Sequence, residues 1–586
     1  MNYDLNKLSA AEKKTSTYAA LKSLLQLITH ERRNLLVALM AILLNAFINL
    51  FGPYLVGHTI DTYIQHKDYH GVLLFSGILL CMYLVGLFTS YFQTRLMGGV
   101  GQRLLFTLRN AIFNKLQELP VAFFNANKAG DLISRVNNDT DKVNTFFSQS
   151  LMQFVGSIAI MVGAGIFLLV INIRLGLAAL LPGLLILVFT RVTSAWIKKK
   201  NAANLKSTGG MSAEIQESLN NFRVIIAFNR RDYFRKRFEE ANQQNYSTAI
   251  SAGLANNLLL PVYSLLSSLA QLMVLAYGIY LISQHQFSIG LLVSYLAYAT
   301  NFYNPLRQLA TLWTSFQVAM AGWDRIARIL SLETNLATAV NTATVSSGAL
   351  MEFRGVKFGY QEGQEILHNV SITLEPGKTY ALVGPTGGGK TTTASLMARL
   401  YDPTAGTVLL SGNDIRSYTA AERSQKIGFI LQEPFLFTGT IKDNILYGNP
   451  AFEHYTNEQL EAAIHNANLE GLLAVFENGL DTKVTSGGDS ISLGQKQLVA
   501  FIRAVLRNPE ILILDEATAN IDTVTEQLLS DILNKLPATT TRIIIAHRLN
   551  TIENADEIFF VNAGEVIRAG SFNEALDMLL KGKRVS

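Results

Sequence analysis

A glycine-rich stretch in the second half of the chain has the spacing of a phosphate-binding loop. Residues 384–391 fit the pattern G-x-x-x-x-G-K-[ST] and follow an apolar run. In this pattern the glycines let backbone N–H groups wrap phosphate oxygens, and the helix that follows adds partial positive charge. The residues expected to hold the nucleotide here are Gly384, Pro385, Thr386, Gly387, Gly388, Gly389, Lys390, Thr391 and Thr392.

Two acidic residues follow another apolar run, at the end of ILILDE. Beside a phosphate loop, Lys390 would reach the outer phosphates and the Thr391 hydroxyl would bind Mg²⁺. Asp515 would hold Mg²⁺ through water, and Glu516 would be the general base that activates the attacking water. A surface acidic pair is the plain alternative, but it leaves the glycine loop unexplained. The two motifs together predict hydrolysis of a nucleoside triphosphate.

The elements that must position these motifs are short strands that alternate with helical patterns in the last 240 or so residues. The runs YALVG, ILILDE, RIIIAH and EIFFV are apolar on both faces. Such strands are typical of a largely parallel α/β sheet that is covered by helices on both sides. The run ATAVNTATVSSGAL before them is small and polar, which is the composition of a linker.

The part of the chain before this linker is apolar enough to enter a membrane. Hydrophobic residues make up 49% of the whole chain and charged residues only 16%, against about 25% charged residues in soluble proteins. A membrane span needs about 20 apolar residues. Six segments are predicted to be spans: residues 35–55, 72–91, 151–171, 175–196, 258–282 and 289–312.

The connections between these segments predict their orientation. The short connections at 172–174 and 283–286 are nearly free of lysine and arginine, whereas the long ones at 92–150 and 197–257 carry many. Positive residues mark the cytoplasmic side, so the amino terminus and the long connections are expected in the cytoplasm. The net charge of +5 is small for 586 residues and gives no reason to expect nucleic-acid binding.

Aromatic residues of the sixth segment have two interpretations. Tyr295, Tyr298, Phe302 and Tyr303 recur at roughly helical spacing. They could form a stripe that faces a substrate, or they could pack the helix against its neighbours, and packing is the favoured interpretation. The spans contain few ionisable residues, so no obligatory site for a highly charged substrate is evident.

Taken together, these motifs resemble the ABC transporter family, specifically exporter-type half-transporters, over essentially the whole chain. The resemblance implies an all-α, six-helix transmembrane domain at 1–333, a linker at 334–350 and an α/β P-loop ATPase domain at 351–586. It also implies ATP and Mg²⁺ as cofactors and a second half-transporter chain as partner. The implied roles are adenine stacking by Tyr360, contact with Mg²⁺ and the attacking water by Gln432, the crossing to the partner subunit by Asp522, and contact with the γ-phosphate by His547.

The membrane half carries the resemblance as well. In this family two cytoplasmic loops end in short coupling helices that rest on the ATPase domains. The matching segments are Phe123-Phe124, residues 130–136, Asn138-Asp139, residues 221–225 and Phe228-Asn229.

One motif departs from the family pattern. The signature L-S-G-G-Q is here Ile491-Ser492-Leu493-Gly494-Gln495. The resemblance implies that Ser492, Gly494 and Gln495 approach ATP bound to the partner chain. Leucine in place of glycine is expected to add bulk and to restrict the backbone. We therefore expect a heterodimer with a chain that has an intact signature and an altered catalytic glutamate, and a homodimer that tolerates Leu493 stays open.

The substrate is the least determined feature of the sequence. Charge-poor spans with aromatic residues favour hydrophobic or amphipathic small molecules, so export of the multidrug type across a bacterial cell membrane is expected. Lipid or lipopeptide export, siderophore-type import and an ATP-gated channel stay open as alternatives.

Overall fold

The computed structural model describes residues 3, 5, 31–333, 348–361, 363–485, 490–515, 523–545, 555–570 and 572–581. The chain divides into two compact units. The helical unit comprises Lys14–Asn114 and Leu132–Leu330. The α/β unit comprises Lys115–Asp131 and Ser331–Ser586, together with the described residues near the amino terminus.

In the described stretch from residue 31 to residue 331, helices follow one another without strands. Three π-helical turns, Ile60–Ile64, Arg135–Asp139 and Phe146–Ser150, interrupt or extend them. The α-helices are α1 (Arg32–Thr59), α2 (Tyr69–Glu118), α3 (Val121–Ala126), α4 (Ala129–Ser134), α5 (Thr140–Thr145), α6 (Leu151–Ile171), α7 (Ile173–Asn220), α8 (Phe222–Ala227), α9 (Arg231–Asn257), α10 (Leu259–Ser283) and α11 (Ile289–Ser331).

All six predicted membrane segments are helical. Among the described residues, five helical stretches are long and apolar enough to cross a membrane: Arg32–Ile64, Tyr69–Glu118, Ala129–Ile171, Ile173–Asn220 and Arg231–Ser283. The sixth segment forms the first part of α11. It is not among the five, because its tyrosines and asparagines lower its hydropathy.

The charged connections differ from the loops that the sequence suggested, because many of them continue the membrane helices. Helix α2 has 50 residues, which corresponds to about 75 Å at 1.5 Å per residue, against a hydrocarbon core of about 30 Å. Helices α7 and α11 are similarly long, with 48 and 43 residues. The hairpin predicted between the third and fourth segments is present, and Asn172 caps α7 by accepting a hydrogen bond from the N–H of Leu175 (3.1 Å).

The tyrosines of α11 pack against neighbouring helices, as the favoured interpretation predicted. The hydroxyls of Tyr295, Tyr298 and Tyr303 donate to backbone carbonyls of other helices at 2.6 to 2.7 Å, and all three side chains are buried. Asn301 Nδ2 donates to the carbonyl of Asn49 (3.1 Å). That carbonyl lacks its usual helical donor because Pro53, four residues later, has no N–H.

Helices α1 and α11 touch backbone to backbone near one end. A Cβ atom placed on Gly57 would lie 2.5 Å from the carbonyl oxygen of Gly290, and one placed on Gly290 would lie 2.1 Å from that of Gly57. Asp61 accepts hydrogen bonds from the N–H of Gly290 (2.8 Å) and from the hydroxyl of Ser288. The two glycines therefore permit a contact that any side chain would separate.

The α/β unit contains a mainly parallel sheet, as the sequence predicted. Strand order in this sheet is β12-β11-β3-β10-β9-β6, and β12 alone runs antiparallel to its neighbour. A second, antiparallel sheet has the order β2-β1-β4-β5, and β7 pairs with β8. The strands are β1 (Met351–Phe358), β2 (Leu367–Leu374), β3 (Thr379–Val383), β4 (Ala405–Leu410), β5 (Asn413–Asp414), β6 (Ile427–Ile430), β7 (Gly439–Thr440), β8 (Lys483–Val484), β9 (Ile511–Asp515), β10 (Thr541–Ile545), β11 (Glu557–Asn562) and β12 (Glu565–Arg568).

The two largest apolar cores among the described residues of this unit support these strands. One lies between the two larger sheets and includes Tyr380, Leu396 and Ile513. The other fills a mostly helical region and includes Leu460, Leu498 and Leu529. The helices are α12 (Lys390–Met397), α13 (Ala420–Lys426), α14 (Ile441–Leu446), α15 (Asn457–Asn466), α16 (Glu470–Leu473), α17 (Leu493–Val505), α18 (Thr523–Lys535) and α19 (Phe572–Lys581).

Candidate functional site

The predicted phosphate loop joins the end of β3 to the start of α12. Gly384, Gly387 and Gly389 have φ angles of +146°, +83° and +114°, and Gly389 is the N-cap of α12. A Cβ atom on Gly384 would lie 2.0 Å from the carbonyl oxygen of Val561 in β11, and one on Gly388 would lie 2.5 Å from the same oxygen. The loop backbone therefore runs directly against β11, which only glycine permits.

The structure brings Lys390, Thr391 and Asp515 together at the phosphate loop. Lys390 is buried, and its Nζ donates to the carbonyls of Gly384 (2.8 Å) and Pro385 (3.1 Å). The Thr391 hydroxyl donates to Oδ1 of Asp515 (3.3 Å). Asp515 is 2% exposed at the end of β9. A hydroxyl and a carboxylate together offer the oxygen ligands that Mg²⁺ prefers, so these residues fit ATP with Mg²⁺.

Tyr360 presents an open aromatic ring beside the loop. Its side chain is 48% exposed, so one surface is accessible to a base. Its hydroxyl lies 3.1 Å from that of Thr392 in α12. The rings of Phe358 and Tyr401 meet it edge to face, with centroids 5.0 and 5.1 Å away. These contacts support one edge of the ring and leave a surface free for stacking.

Tyr401 and Asn125 were missed from the sequence. Asn125 in α3 donates through Nδ2 to the hydroxyl of Tyr401 (2.5 Å). Burial raises the pKa of Tyr401, so this hydroxyl stays protonated at neutral pH. Neither residue belongs to a motif with chemical spacing. Their only sequence signal was position: Asn125 follows the pair Phe123-Phe124, and Tyr401 follows α12 closely.

The same short segment also holds residues near the amino terminus. The side chain of Asn127 accepts from the N–H of Leu5 (3.2 Å) and donates to the carbonyl of Tyr3 (2.8 Å). Tyr3, Leu5 and Asn127 are all buried. Together with Phe123, which is also buried, these contacts anchor α3 and the residue that follows it.

Gln432 leaves the sheet at the edge where Asp515 ends β9. The parallel register pairs Ile430 of β6 with Leu514 of β9, and Gln432 follows two residues later on an exposed segment. Because the carboxyl ends of parallel strands share one edge, β6, β9 and β3 bring their following segments together there. The predicted residues Glu516, Asp522 and His547 lie outside the described residues. The strands before Glu516 and His547 are adjacent, with Asp515 paired with Ile545.

The signature segment forms the start of α17. Ser492 is the N-cap, its hydroxyl accepts from the N–H of Gln495 (3.2 Å), and Gln495 Oε1 accepts from the N–H of Ser492 (3.0 Å). Leu493 is the first helical residue, and it has no positive φ. The backbone restriction expected from leucine therefore has no cost at this position, because a helical conformation suits any L-residue. Gly494 is buried behind it.

The arrangement can bind a nucleoside triphosphate and pair it with Mg²⁺. A phosphate loop, a buried carboxylate and an open aromatic ring lie in one unit, and the other unit consists of helices of membrane-spanning length. These two units define an ATP-driven membrane transporter.

Comparisons with known proteins agree with this class. The family model described as "ABC transporter transmembrane region" matches residues 35–306, and the model "ABC transporter" matches 367–519. An uncharacterized ABC transporter ATP-binding protein of Bacillus subtilis is 35% identical over 93% of this chain and 90% of its own length. This chain therefore belongs to the ABC transporter family, as an exporter with membrane and ATPase regions in one chain, and it couples ATP hydrolysis to transport.

Other relatives and one solved structure give the same result. A "Multidrug resistance ABC transporter ATP-binding and permease protein" of Lactococcus lactis is 32% identical over 85% of this chain and 84% of its own. A "Fatty acid ABC transporter ATP-binding/permease protein" of Mycobacterium bovis is 33% identical over 87% and 80%. The structure of a bacterial Atm1-family ABC exporter with ATP bound superposes with a TM-score of 0.78, at 25% identity over 95% of this chain and 99% of that one.

Proposed function

We propose that this chain is one subunit of an asymmetric heterodimer that exports hydrophobic or amphipathic compounds, of the multidrug type, by alternating access. The observation that carries the heterodimer is Leu493 at the first position of α17. Its side chain stands where the family has glycine, at the surface expected to approach the partner's ATP. Each ATP site would combine the pocket of one chain with the signature of the other. Bulk at Leu493 would impair the site in the partner's pocket and leave the ATP pocket of this chain intact.

Within the dimer, this chain supplies the pocket of the working site. Lys390 binds the outer phosphates, and Thr391 and Asp515 hold Mg²⁺ together with Gln432. Glu516 is the general base and His547 contacts the γ-phosphate. Tyr360 stacks on adenine, and Asp522 lies at the crossing to the partner. The intact signature that completes this site belongs to the partner. Ser492, Gly494 and Gln495 of this chain face the second ATP site, in the partner's pocket, which is the impaired one.

ATP binding would drive the change of access by closing the two ATPase domains. To shift the transporter from 99:1 in favour of one orientation to 1:99, ATP must bind the closed state more tightly by about 5.5 kcal/mol. Hydrolysis at one competent site then resets the dimer. The domain division at 1–333, 334–350 and 351–586 fits this arrangement, with the bilayer around the first part.

A specific feature favours a second candidate, export of lipids with an acidic headgroup. Asn304, Arg307, Gln308 and Thr311 recur at i, i+3, i+4 and i+7 on α11, and all four are exposed. A cation at the end of a predicted span suits a carboxylate whose apolar tail stays in the bilayer. The mycobacterial relative carries the name of a fatty acid transporter.

The heterodimer is tested by purifying the tagged chain gently from its native membrane and identifying its stoichiometric companion by mass spectrometry. A second half-transporter with an intact signature and a replaced catalytic glutamate supports the proposal. Recovery of an active dimer of this chain alone, with two equal hydrolytic sites, refutes it.

The substrate class is tested with the purified transporter in inverted lipid vesicles. ATP-dependent accumulation of ethidium supports multidrug export, and accumulation of a fluorescent fatty acid that depends on Arg307 supports the second candidate. Glu516→Gln is the inactive control for both. Accumulation of neither probe, with ATP hydrolysis intact, rules out both substrate classes.

A further inference from the structure

Tyr360, Tyr401 and Asn125 form a series of contacts that leads from the ring proposed to stack on adenine to α3. Tyr360 meets Tyr401 edge to face, with an interplanar angle of 81°. Tyr401 accepts a hydrogen bond from Asn125 of α3. Phe358 touches both tyrosine rings, at 5.0 and 5.5 Å between centroids. No other residue intervenes, so the exposed ring and the short helix are two contacts apart.

We propose that Tyr401 is a positioning residue that couples base occupancy at Tyr360 to α3, so that α3 responds to the adenine and not only to the phosphates. This rests on the proposed stacking role of Tyr360. In the family, α3 lies in the loop that ends in a coupling helix, which makes it the element through which such a response reaches the membrane helices.

The physical basis is that restricting the motion of one side chain makes it easier to restrict the motion of the side chain packed against it. With its surface half exposed, Tyr360 retains freedom of motion that a stacked base removes. An ordered Tyr360 offers Tyr401 a fixed edge-to-face partner. A fixed Tyr401 hydroxyl in turn holds the Asn125 amide in one orientation. Ordering of the first group lowers the entropic cost of ordering the next, without any large displacement.

Within α3, the contact with Tyr401 is made by Asn125. Phe123 is fully buried, and Asn127 is held by the backbone of Tyr3 and Leu5. Asn125 lies between them and is exposed apart from its bond to Tyr401. Phe123 and Asn127 therefore anchor the helix on either side of Asn125, and Asn125 makes the contact that leads to the Tyr360 ring.

The experiment is hydrogen–deuterium exchange of the full chain in lipid nanodiscs, with Mg²⁺ and either ADP or tripolyphosphate. Both probes are expected to protect peptides that cover residues 384–392. ADP alone is expected to slow exchange in peptides covering 119–127, by about five-fold, which is the effect of one hydrogen bond. Tripolyphosphate has no base and leaves 119–127 unchanged.

Two variants break the series at separate points. Tyr401→Phe keeps the ring contact with Tyr360 and removes the hydroxyl, whereas Asn125→Ala removes the donor. Each is expected to abolish ADP protection of 119–127 while 384–392 stay protected, and the double variant is expected to do no more than either. Tyr418→Phe is the matched control, because the Tyr418 hydroxyl also bonds within this unit, to the carbonyl of Leu410 (2.9 Å).

Each outcome decides the question. Persistent ADP protection of 119–127 in Tyr401→Phe overturns the proposal, as does equal protection by tripolyphosphate. If Tyr418→Phe also loses ADP protection of 119–127, then Tyr401 has only a general structural role, and the proposal is overturned. If neither probe protects 384–392 in the unmodified chain, the nucleotide role itself fails, which is distinguishable from failure of the coupling.

Discussion

Replacing Gly384 with alanine should weaken nucleotide binding strongly while leaving both units folded. The new Cβ atom would lie 2.0 Å from the carbonyl oxygen of Val561, whereas ordinary contact begins at 3.4 Å. The shortfall is 3.4 − 2.0 = 1.4 Å, and both groups are backbone, so rotation of a side chain cannot relieve it. The phosphate loop must therefore move away from β11 by about this distance.

A displacement of this size should be costly because the phosphates are held by fixed backbone N–H groups. A misplacement of about 1 Å costs roughly a hundred-fold in well-oriented sites, so the Kd for ATP should rise at least about a hundred-fold, or about 2.7 kcal/mol. Gly387→Ala measures the cost of a positive φ angle without a steric clash, so it separates that cost from the clash expected at Gly384. Its φ is +83°, but nothing lies within 4 Å of its Cβ position, so about ten-fold is expected from backbone strain alone.

The assay is binding of a fluorescent trinitrophenyl analogue of ATP to the purified chain, with thermal unfolding of the ligand-free protein measured in parallel. Gly210→Ala in α7 is the control, because nothing lies within 4 Å of its Cβ position and alanine favours a helix. If Gly384→Ala binds within three-fold of the unmodified chain, or if Gly387→Ala binds more weakly than Gly384→Ala, the steric reasoning is refuted.

Three further predictions concern other parts of the chain. Tyr360→Ala should raise the Kd for ATP about ten-fold, since base stacking on an aromatic ring contributes about 1–3 kcal/mol. Tyr360→Phe keeps the ring and should leave the Kd unchanged, and titration with ATP measures the Kd of both variants. Arg325→Ala should lower the unfolding temperature by several degrees in calorimetry, because it leaves the buried Asp139 without its bidentate partner; an unchanged temperature would mean that the neighbouring lysine suffices. Burial raises the pKa of Asp414, but the hydrogen bonds and charge of Arg416 outweigh this and hold the pKa below its ordinary value. Its contribution to stability is therefore present above about pH 4 and is lost as the pH falls through the lowered pKa, so Asp414→Asn should flatten the fall in unfolding temperature between pH 6 and pH 3.

The features that could be predicted from sequence are those whose chemistry is local. The glycine loop, the strand that ends in Asp515 and the apolar segments are each encoded by consecutive residues, and the family resemblance added Tyr360 and Gln432. The largely parallel sheet followed from strands that are apolar on both faces. These predictions needed no knowledge of which residues meet across the fold.

The features that were missed depend on contacts between distant residues. The hydrogen bond of Asn125 to Tyr401 spans 276 positions, and no spacing rule reveals it. The lengths of α2 and α7 were underestimated, because hydropathy ends a predicted span where charged residues begin, whereas both helices continue beyond that point. The backbone restriction expected at Leu493 has no cost in the structure, because Leu493 is the first residue of helix α17 and its φ is negative.

The contact of Asn127 with Tyr3 and Leu5 has a consequence for biosynthesis. The partners are separated by more than 120 positions, and the first two predicted spans lie between them. At about 5–20 residues per second, the ribosome delivers Asn127 roughly 6 to 24 s after Leu5. Tyr3 and Leu5 therefore leave the ribosome well before Asn127, and the two predicted spans between them are synthesised in the interval. Closure of this contact consequently marks the moment at which the first helical hairpin is complete and the cytoplasmic segment after it becomes available.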